Sequence, residues 1–381
     1  MIKELLQNMS VLEALGPLMG LAFILALFLA LKAFPPLLFI AQEKHLTDEP
    51  DDRSSHQNRV PTLGGMGVYI SLILVLCLFG VLLDTSVFLV LSGALTALFF
   101  IGMKDDLVVL SPLKKFLGQL VTATILVLLT DIRIIGFSEL FGVTTLPYTV
   151  SVAFTIFVYI LIINAYNFID GIDGLAGSFA VLVCGIYGGL FYYTDNPDGA
   201  VLAMALLGAL LPFLRLNLSK RKKIFMGDTG SMIIGFMLAF FTVDFIHQNQ
   251  GNAAAPFAQS APIIAMAILF YPLMDLLRIF LVRLLVYRVS PFRPDKRHMH
   301  HFILRLGCTH IQTTSMLMVM SGLVVLWAFI GLDWPILVQL LALVLVGSAL
   351  FTLPFLIRRR YNMGQAMKTL QLKLRMFLSS F

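Results

Sequence analysis

The sequence predicts an all-α polytopic integral membrane protein with about eleven transmembrane helices, N-terminus outside and C-terminus cytoplasmic. Three observations lead there. Hydrophobic residues make up 59% of the 381 and charged residues only 13%, against about 25% charged in an ordinary soluble domain. At a mean hydropathy of +0.92, a core facing water cannot absorb so much apolar material. The apolar residues also fall into stretches of membrane length, roughly twenty residues each, and Lys and Arg gather in alternate loops.

The stretches centre near Leu27, Leu74, Ala94, Thr124, Phe157, Val183, Leu207, Met237, Phe270, Leu323 and Val344. The first is too long for a signal-peptide core and has no convincing cleavage site at Pro35 and Pro36, so it stays as a span. One set of loops holds Lys44, Arg53 and Arg59, then Lys104, Lys114 and Lys115, then Lys220 with Arg221, Lys222 and Lys223. The same set continues with Arg288, Arg293, Lys296, Arg297 and Arg305, and ends at Arg358, Arg359 and Arg360. The opposite loops offer little beyond Lys3 and Arg133. The positive-inside rule makes the first set cytoplasmic. Termini on opposite sides then require an odd number of spans.

Residues 1–381 read as a single transmembrane domain, because no loop is long enough for a soluble one. Past Arg360, residues Met363, Met367, Leu370, Leu374 and Phe377 recur at helical spacing beside Lys368, Lys373 and Arg375. Residues 358–381 therefore read as a basic amphipathic cytoplasmic tail, with a frayed end as the plainer alternative. The net charge of +6 sits in short juxtamembrane clusters, which serve topology and anionic lipid rather than nucleic acid. Cys77, Cys184 and Cys308 give neither a disulfide framework nor a zinc spacing.

Polar motifs follow the same alternation, all on the predicted cytoplasmic side. The first loop carries His56, Arg59, Pro61, Gly64 and Gly65; Lys104, Asp105 and Asp106 close the third span. Asn164, Asn167, Asp170 and Asp173 follow the fifth, and Phe225 to Ser231, with Asp228 between glycines, precede the eighth. After the ninth come Asp295, Lys296, Arg297, His298, His300 and His301. Carboxylates at the edge of a membrane span are costly and usually functional. Several at one face suit a hard cation, and Mg²⁺ is typically held by one or two carboxylates with phosphate oxygens and water. Lys and Arg in the same loops suit a phosphate-bearing substrate, and the helix after Gly227 and Gly230 would favour phosphate at its N-terminus. The combination suggests phosphoryl transfer between a soluble nucleotide and a lipid.

The motifs HQNRVPTLGG at 56–65, the pair Asp105 and Asp106, NAYNFIDGIDGL at 164–175, FMGDTGS at 225–231, PLMD at 272–275 and SPFRPDKRHMHH at 290–301 stand in one order. In that order the chain resembles the polyprenyl-phosphate N-acetylhexosamine-1-phosphate transferases, a membrane superfamily that includes the peptidoglycan translocase. His298, His300 and His301 follow the His-x-His-His pattern of members that initiate O-antigen, common-antigen or teichoic-acid chains. The resemblance implies transfer of an N-acetylhexosamine 1-phosphate, GlcNAc-1-phosphate first among them, from its UDP derivative to undecaprenyl phosphate, releasing UMP. It also implies a bacterial inner membrane, with the active site on the cytoplasmic face.

By the same resemblance, Asp228 and Asp170 would hold Mg²⁺, with Mn²⁺ as an alternative, and Asp105, with Asp106 beside it, would serve the lipid phosphate. His298, His300 and His301 would face the diphosphate and the sugar, and Asp170 would serve the chemistry as well as the metal. Asn164, Asn167, Asp173, Phe225, Arg297, His56 and Arg59 would bind substrate, Phe225 by stacking on uracil and Asp173 close to it. Plainer readings stand beside these. Asp105 and Asp106 suit a cap or a turn before Pro112, Asp228 suits ordinary turn chemistry, and the histidines suit a transition-metal site. Asp275 and Arg278 are spaced to pair with each other, and Asp244 is read as structural. The alternatives in function are the phospho-MurNAc-pentapeptide transferase of peptidoglycan synthesis and, in another class, a lipid-linked-sugar transporter. A homodimer through the apolar flank is left open.

Overall fold

Within a bilayer every backbone polar group has to be satisfied inside the segment, so long apolar runs become helices. The computed structural model describes residues 11–44, 47–48, 60–250, 254–290 and 297–356. Helix α1 (Val11–Glu43) leads to a two-residue antiparallel pairing, β1 (Thr47–Asp48) with β2 (Val60–Pro61). Then come α2 (Gly64–Phe79), α3 (Thr85–Leu107), α4 (Pro112–Thr130), α5 (Tyr148–Ile169), α6 (Leu175–Tyr193), α7 (Pro197–Asn217) and α8 (Gly227–Gln250). The chain continues through α9 (Ala261–Ile268), α10 (Phe270–Leu281), a π-helical turn (Val282–Tyr287), α11 (Met299–Leu304) and α12 (His310–Ile330). It closes with α13 (Ile336–Leu356). The protein is an all-α polytopic membrane protein, and the predicted amphipathic tail lies outside the described residues.

Each of the expected span centres falls in one of these helices, but the helices are not equivalent. Among the described residues nine are long and apolar enough to cross a membrane, or ten if a bent pair counts as one span. The expectation of eleven counts α2 as well; its 16 residues reach only about 24 Å at 1.5 Å each. The span centred on Phe270 is broken, with α9 and α10 meeting at 74°. Pro272 explains the break: it has no N–H to donate, and its ring would clash with the carbonyl of Ile268 in a continuous helix.

The centre of the bundle is α8. Every residue of its apolar stretch is buried, against 22% for α1 and α13 at the periphery. Small residues let neighbours reach its backbone. A Cβ on Gly65 would fall on the backbone of Gly230, so α2 and α8 touch main chain to main chain. At one end of the bundle the polar groups satisfy each other. Asp84 caps α3, accepting from the N–H groups of Ser86 and Val87, and its own N–H donates to Asp198 at 3.2 Å. Asp244 accepts from Asn196 at 2.8 Å and Gln248 at 3.0 Å, as a structural residue would. All the predicted motifs within the described residues lie at the other end.

The contact between α2 and α8 predicts that Gly65→Val lowers the thermal unfolding midpoint in detergent. Overpacking typically costs about 1–3 kcal/mol, and here the obstacle is backbone. Gly93→Ala, where a Cβ meets nothing within 4 Å, is expected to leave the midpoint unchanged or slightly raised.

Candidate active site

The site is built around the start of α8. Gly227 has φ +72°, a left-handed conformation that glycine adopts freely. It turns the chain so that the first N–H groups of the helix emerge beside the last turn of α3. Asp106 meets them there. Its Oδ1 accepts the N–H of Asp228 at 2.7 Å, and its Oδ2 accepts the N–H of Thr229 at 3.1 Å and the Thr229 hydroxyl at 2.5 Å. A carboxylate at a helix N-terminus satisfies orphan donors and the helix dipole together. Asp106 therefore caps α8, a helix more than a hundred residues downstream, rather than the next segment.

Asp105 is 5% exposed. Its Oδ1 accepts the N–H of Leu110 at 2.6 Å, which holds the turn into α4. Its Oδ2 forms an ion pair with Lys115, from the first turn of α4. The same ammonium reaches Asp228 Oδ2 at 3.1 Å, and Asp228 Oδ1 accepts from Asn167 Nδ2 at 3.0 Å. Asn167 Nδ2 also donates to Ser231 Oγ at 2.7 Å. Two sequence motifs thus meet on one lysine, and a third joins them through Asp228. Asn164, expected to bind substrate, sits one turn deeper, where its amide donates to Gln119 at 2.8 Å and to the Ile160 carbonyl at 2.8 Å. Both amide hydrogens are used between and within helices.

Asp170 and Asp173 occupy the turn between α5 and α6. Asp170 remains accessible, yet the protein crowded around its carboxyl, followed by the charges of Asp228, Asp106 and Asp173, pushes its pKa up to about 7. Asp173 goes the other way. Burial raises it, but the hydrogen bonds from His310 and Lys223 outweigh burial and hold it below the ordinary value. Lys223 Nζ lies 2.6 Å and His310 Nδ1 3.0 Å from Asp173 Oδ2. Lys223 is also 5.3 Å from the centroid of the Phe225 ring, so the two residues expected near uracil share one cation.

His56 and Arg59 lie outside the described residues, but the chain after them is tied to the same place. The Pro61 carbonyl accepts the N–H of Phe225 at 2.8 Å, and the Gly64 and Gly65 N–H groups donate to Phe225 and Met226 at 2.9 Å each.

The histidine motif arrives from the far end of the chain. His298 Nδ1 is 2.8 Å from Asp275 Oδ2, and its ring stacks on Phe168, centroids 5.3 Å apart. His300 is 1% exposed, and its Nε2 occupies the space that a Cβ on Gly171 would take. Neither ring nitrogen of His300 has a hydrogen-bond partner among the described residues. Burial, then the neighbouring His301, lowers its pKa to about 3, so the ring is neutral at physiological pH. His301 follows it on α11, with ring centroids 4.3 Å apart. Arg297 lies over the Tyr287 ring at 3.6 Å from its centroid.

Four residues of the site carried little or no signal in the sequence. Lys115 and Lys223 are ordinary members of basic loops, His310 opens α12 with no motif around it, and Asp275 closes the PLMD motif yet reads as a partner for Arg278. Their roles come from long-range contacts that spacing cannot reveal.

For a metal, the donor set is sparse. Among the described residues no group of three or more His, Cys, Asp or Glu is arranged to hold an ion. Two carboxylates, Asp105 and Asp228, do face one ammonium, and that ammonium stands in for a cation. Such a pair fits Mg²⁺, which needs few protein ligands when phosphate and water supply the rest.

An all-α membrane bundle with acids, lysines and histidines joined at one end is the class that fold and site define. Comparison with known proteins then narrows it. Residues 88–246 match the family described as glycosyl transferase family 4. The decaprenyl-phosphate N-acetylglucosaminephosphotransferase of Mycobacterium leprae is 33% identical over 338 residues, covering 82% of this chain and 84% of that one. The undecaprenyl-phosphate alpha-N-acetylglucosaminyl 1-phosphate transferases of Escherichia coli and Salmonella typhi are each 28% identical. The first alignment covers 88% of this chain and 90% of the relative, the second 96% and 97%. The chain belongs to the polyprenyl-phosphate N-acetylhexosamine-1-phosphate transferases of glycosyl transferase family 4.

The raised pKa of Asp170 gives a stability prediction. Its folded value of about 7 exceeds the ordinary 3.8, so the folded state holds the proton more tightly. The carboxyl therefore costs stability as pH rises between those values and costs most above 7. Without divalent cation, Asp170→Asn is expected to raise the unfolding midpoint more at pH 8 than at pH 5. Equal shifts at the two pH values would contradict an origin in the crowded carboxylate charge.

Proposed function

We infer that the protein transfers N-acetylglucosamine 1-phosphate from UDP-N-acetylglucosamine to undecaprenyl phosphate, giving undecaprenyl-diphosphate-N-acetylglucosamine and UMP. The reaction would initiate a cell-surface polysaccharide at the cytoplasmic face of a bacterial inner membrane. One observation carries the reading beyond the names of the relatives. Asp105 and Asp228, from two separate motifs, share Lys115 at one end of the bundle, and Asn167 from a third joins them through Asp228.

The chemistry exchanges one phosphoanhydride for another. An oxygen of the lipid phosphate attacks the phosphorus that carries the sugar, a new P–O–P bond forms, and the bond to the UMP phosphate breaks with UMP leaving. A phosphate monoester is largely ionised near neutral pH, so the nucleophile needs little help from a base. Neither member of the aspartate pair is well placed to attack instead. Both Asp106 oxygens hold the start of α8, and Asp105 is engaged by Leu110 and Lys115. Direct attack by the lipid is the route these contacts favour.

The remaining work is positioning and charge neutralisation, as in phosphoryl transfer generally. Lys115 is the group to follow, because an incoming anion can take its ammonium from the two aspartates. Asp228, with Asp105 or Asp170, would hold Mg²⁺, which when bound neutralises charge on the diphosphate. Lys223 and Phe225 border the place given to the uridine. A buried imidazole without partners is costly, so His300, being neutral, would donate to a diphosphate or sugar oxygen and accept from a sugar hydroxyl.

The test is UMP release by the purified protein in detergent with undecaprenyl phosphate, Mg²⁺ and a panel of UDP-sugars. Release that requires both lipid and cation, with UDP-N-acetylglucosamine preferred, is expected. Asp228→Ala should abolish it at any Mg²⁺ concentration, while Asp244→Asn, at the opposite end of the bundle, should stay near wild type. Folded protein with no release from any sugar would instead favour the transporter.

A further inference from the structure

Asp275 and Arg278 lie on α10, the second half of the broken span, and their contacts extend well beyond the pair they form at 2.9 Å. Three consecutive residues of the histidine motif hang on them. Arg278 donates to the Arg297 carbonyl at 2.6 Å. Asp275 Oδ2 meets His298 Nδ1 at 2.8 Å, and Asp275 Oδ1 accepts the N–H of Met299 at 2.9 Å. Asp275 is 2% exposed. A buried carboxylate is costly unless its oxygens are filled, and here both are.

The consequence falls on the His298 ring. With Nδ1 facing a carboxylate that can only accept, the proton on that side sits on Nδ1, and Nε2 is the hydrogen-bonding atom left for anything else. The ring plane is set as well, between Phe168 at 5.3 Å and His300 at 5.8 Å, with interplanar angles of 22° and 8°. Phe168 belongs to the stretch that carries Asn167 and Asp170, so the sandwich ties the histidine motif to the acidic one. A structural ion pair needs only Arg278; it does not need a neighbouring imidazole and amide as well.

We propose that Asp275 is a positioning residue for the transfer reaction, fixing the tautomer and orientation of His298, with Arg278 bracing the loop that carries it. This rests on the function proposed above. Asp275 touches no reacting atom itself, and acts through the imidazole in the way carboxylates orient functional histidines elsewhere.

A double-mutant cycle on the full-length protein tests it, reading kcat for UMP release beside the unfolding midpoint. Asp275→Asn is expected to lower kcat by about 10- to 100-fold, the range found when a partner orienting a functional histidine is removed. Asp275→Glu, which keeps the acceptor on a longer stem, should fall between it and wild type. In a His298→Gln background, Asp275→Asn should cost no further activity, because the ring it orients is gone. Wild-type kcat in Asp275→Asn, or losses that multiply in the double variant, would overturn the proposal and leave the proposed function standing. If Asp275→Asn does not fold, the same cycle run with Asp275→Glu decides the point by the same criterion. Wild-type protein that releases no UMP would overturn both.

Discussion

A helix buried along its whole apolar length must still end, and its first N–H groups have no partners within the helix. For α8 they are met by Asp106, through both carboxylate oxygens. That cap decides where the neighbouring residues go. It holds Asp228 one residue inside the helix start, beside Asn167 on α5 and Lys115 on α4. Gly227, with its positive φ, lets the chain enter the helix at that angle. Without the cap, the turn carrying Asp228 would have no reason to face α4 and α5. Both members of this aspartate pair thus hold backbone, Asp106 at the start of α8 and Asp105 at the turn into α4.

The electrostatics follow from the crowding that the cap imposes. Asp105, Asp106, Asp170, Asp173 and Asp228 are gathered at one end of a bundle whose helices are themselves poor in charge. Two of them share Lys115, and Asp173 takes Lys223 with His310. The pKa of Asp170 is raised first by the protein packed around its carboxyl and then by the charges of the other acids. The lysines thus act as internal counter-ions whose charge an anionic ligand would compete for. Sites that handle phosphate commonly need such cations, and here those cations also stabilise the ligand-free arrangement.

Much of this was legible in the chain. Apolar stretches of bilayer length placed a helix at every expected centre, and charge alternation brought the motifs to a common side. At two of the eleven centres length and composition are poor guides. The run around Leu74 forms a helix too short to count as a span, and Pro272 breaks the ninth span in two. Within the motifs, spacing distinguished Asn167 from Asn164 badly, since both lie on α5 and only depth separates the site from an interhelical contact with Gln119. Lys115, Lys223 and His310 stayed hidden for a different reason. Their contacts with Asp228 and Asp173 span 50 to 137 residues, and no local pattern encodes such a contact. His300 depends on a neighbour equally remote in sequence, because its ring fits only where Gly171 offers no side chain.

The broken span is what makes a distant loop part of the site. A continuous helix through Phe270 would run on in the direction of α9. The break at Pro272 turns α10 by 74°, and α10 is the element whose Asp275 and Arg278 hold Arg297, His298 and Met299. The π-helical turn that follows brings Tyr287 beneath the Arg297 guanidinium. Regular helices supply the acids and lysines at their ends, where neighbours cap and pair them. The histidines come instead from the start of the short helix α11, and it is the irregular part of the bundle that fastens them. Irregular backbone is tolerated in membrane proteins where it is buried in protein or lines a cavity. In this chain the bent span and the histidine motif satisfy that condition together, each supplying hydrogen-bond partners to the other.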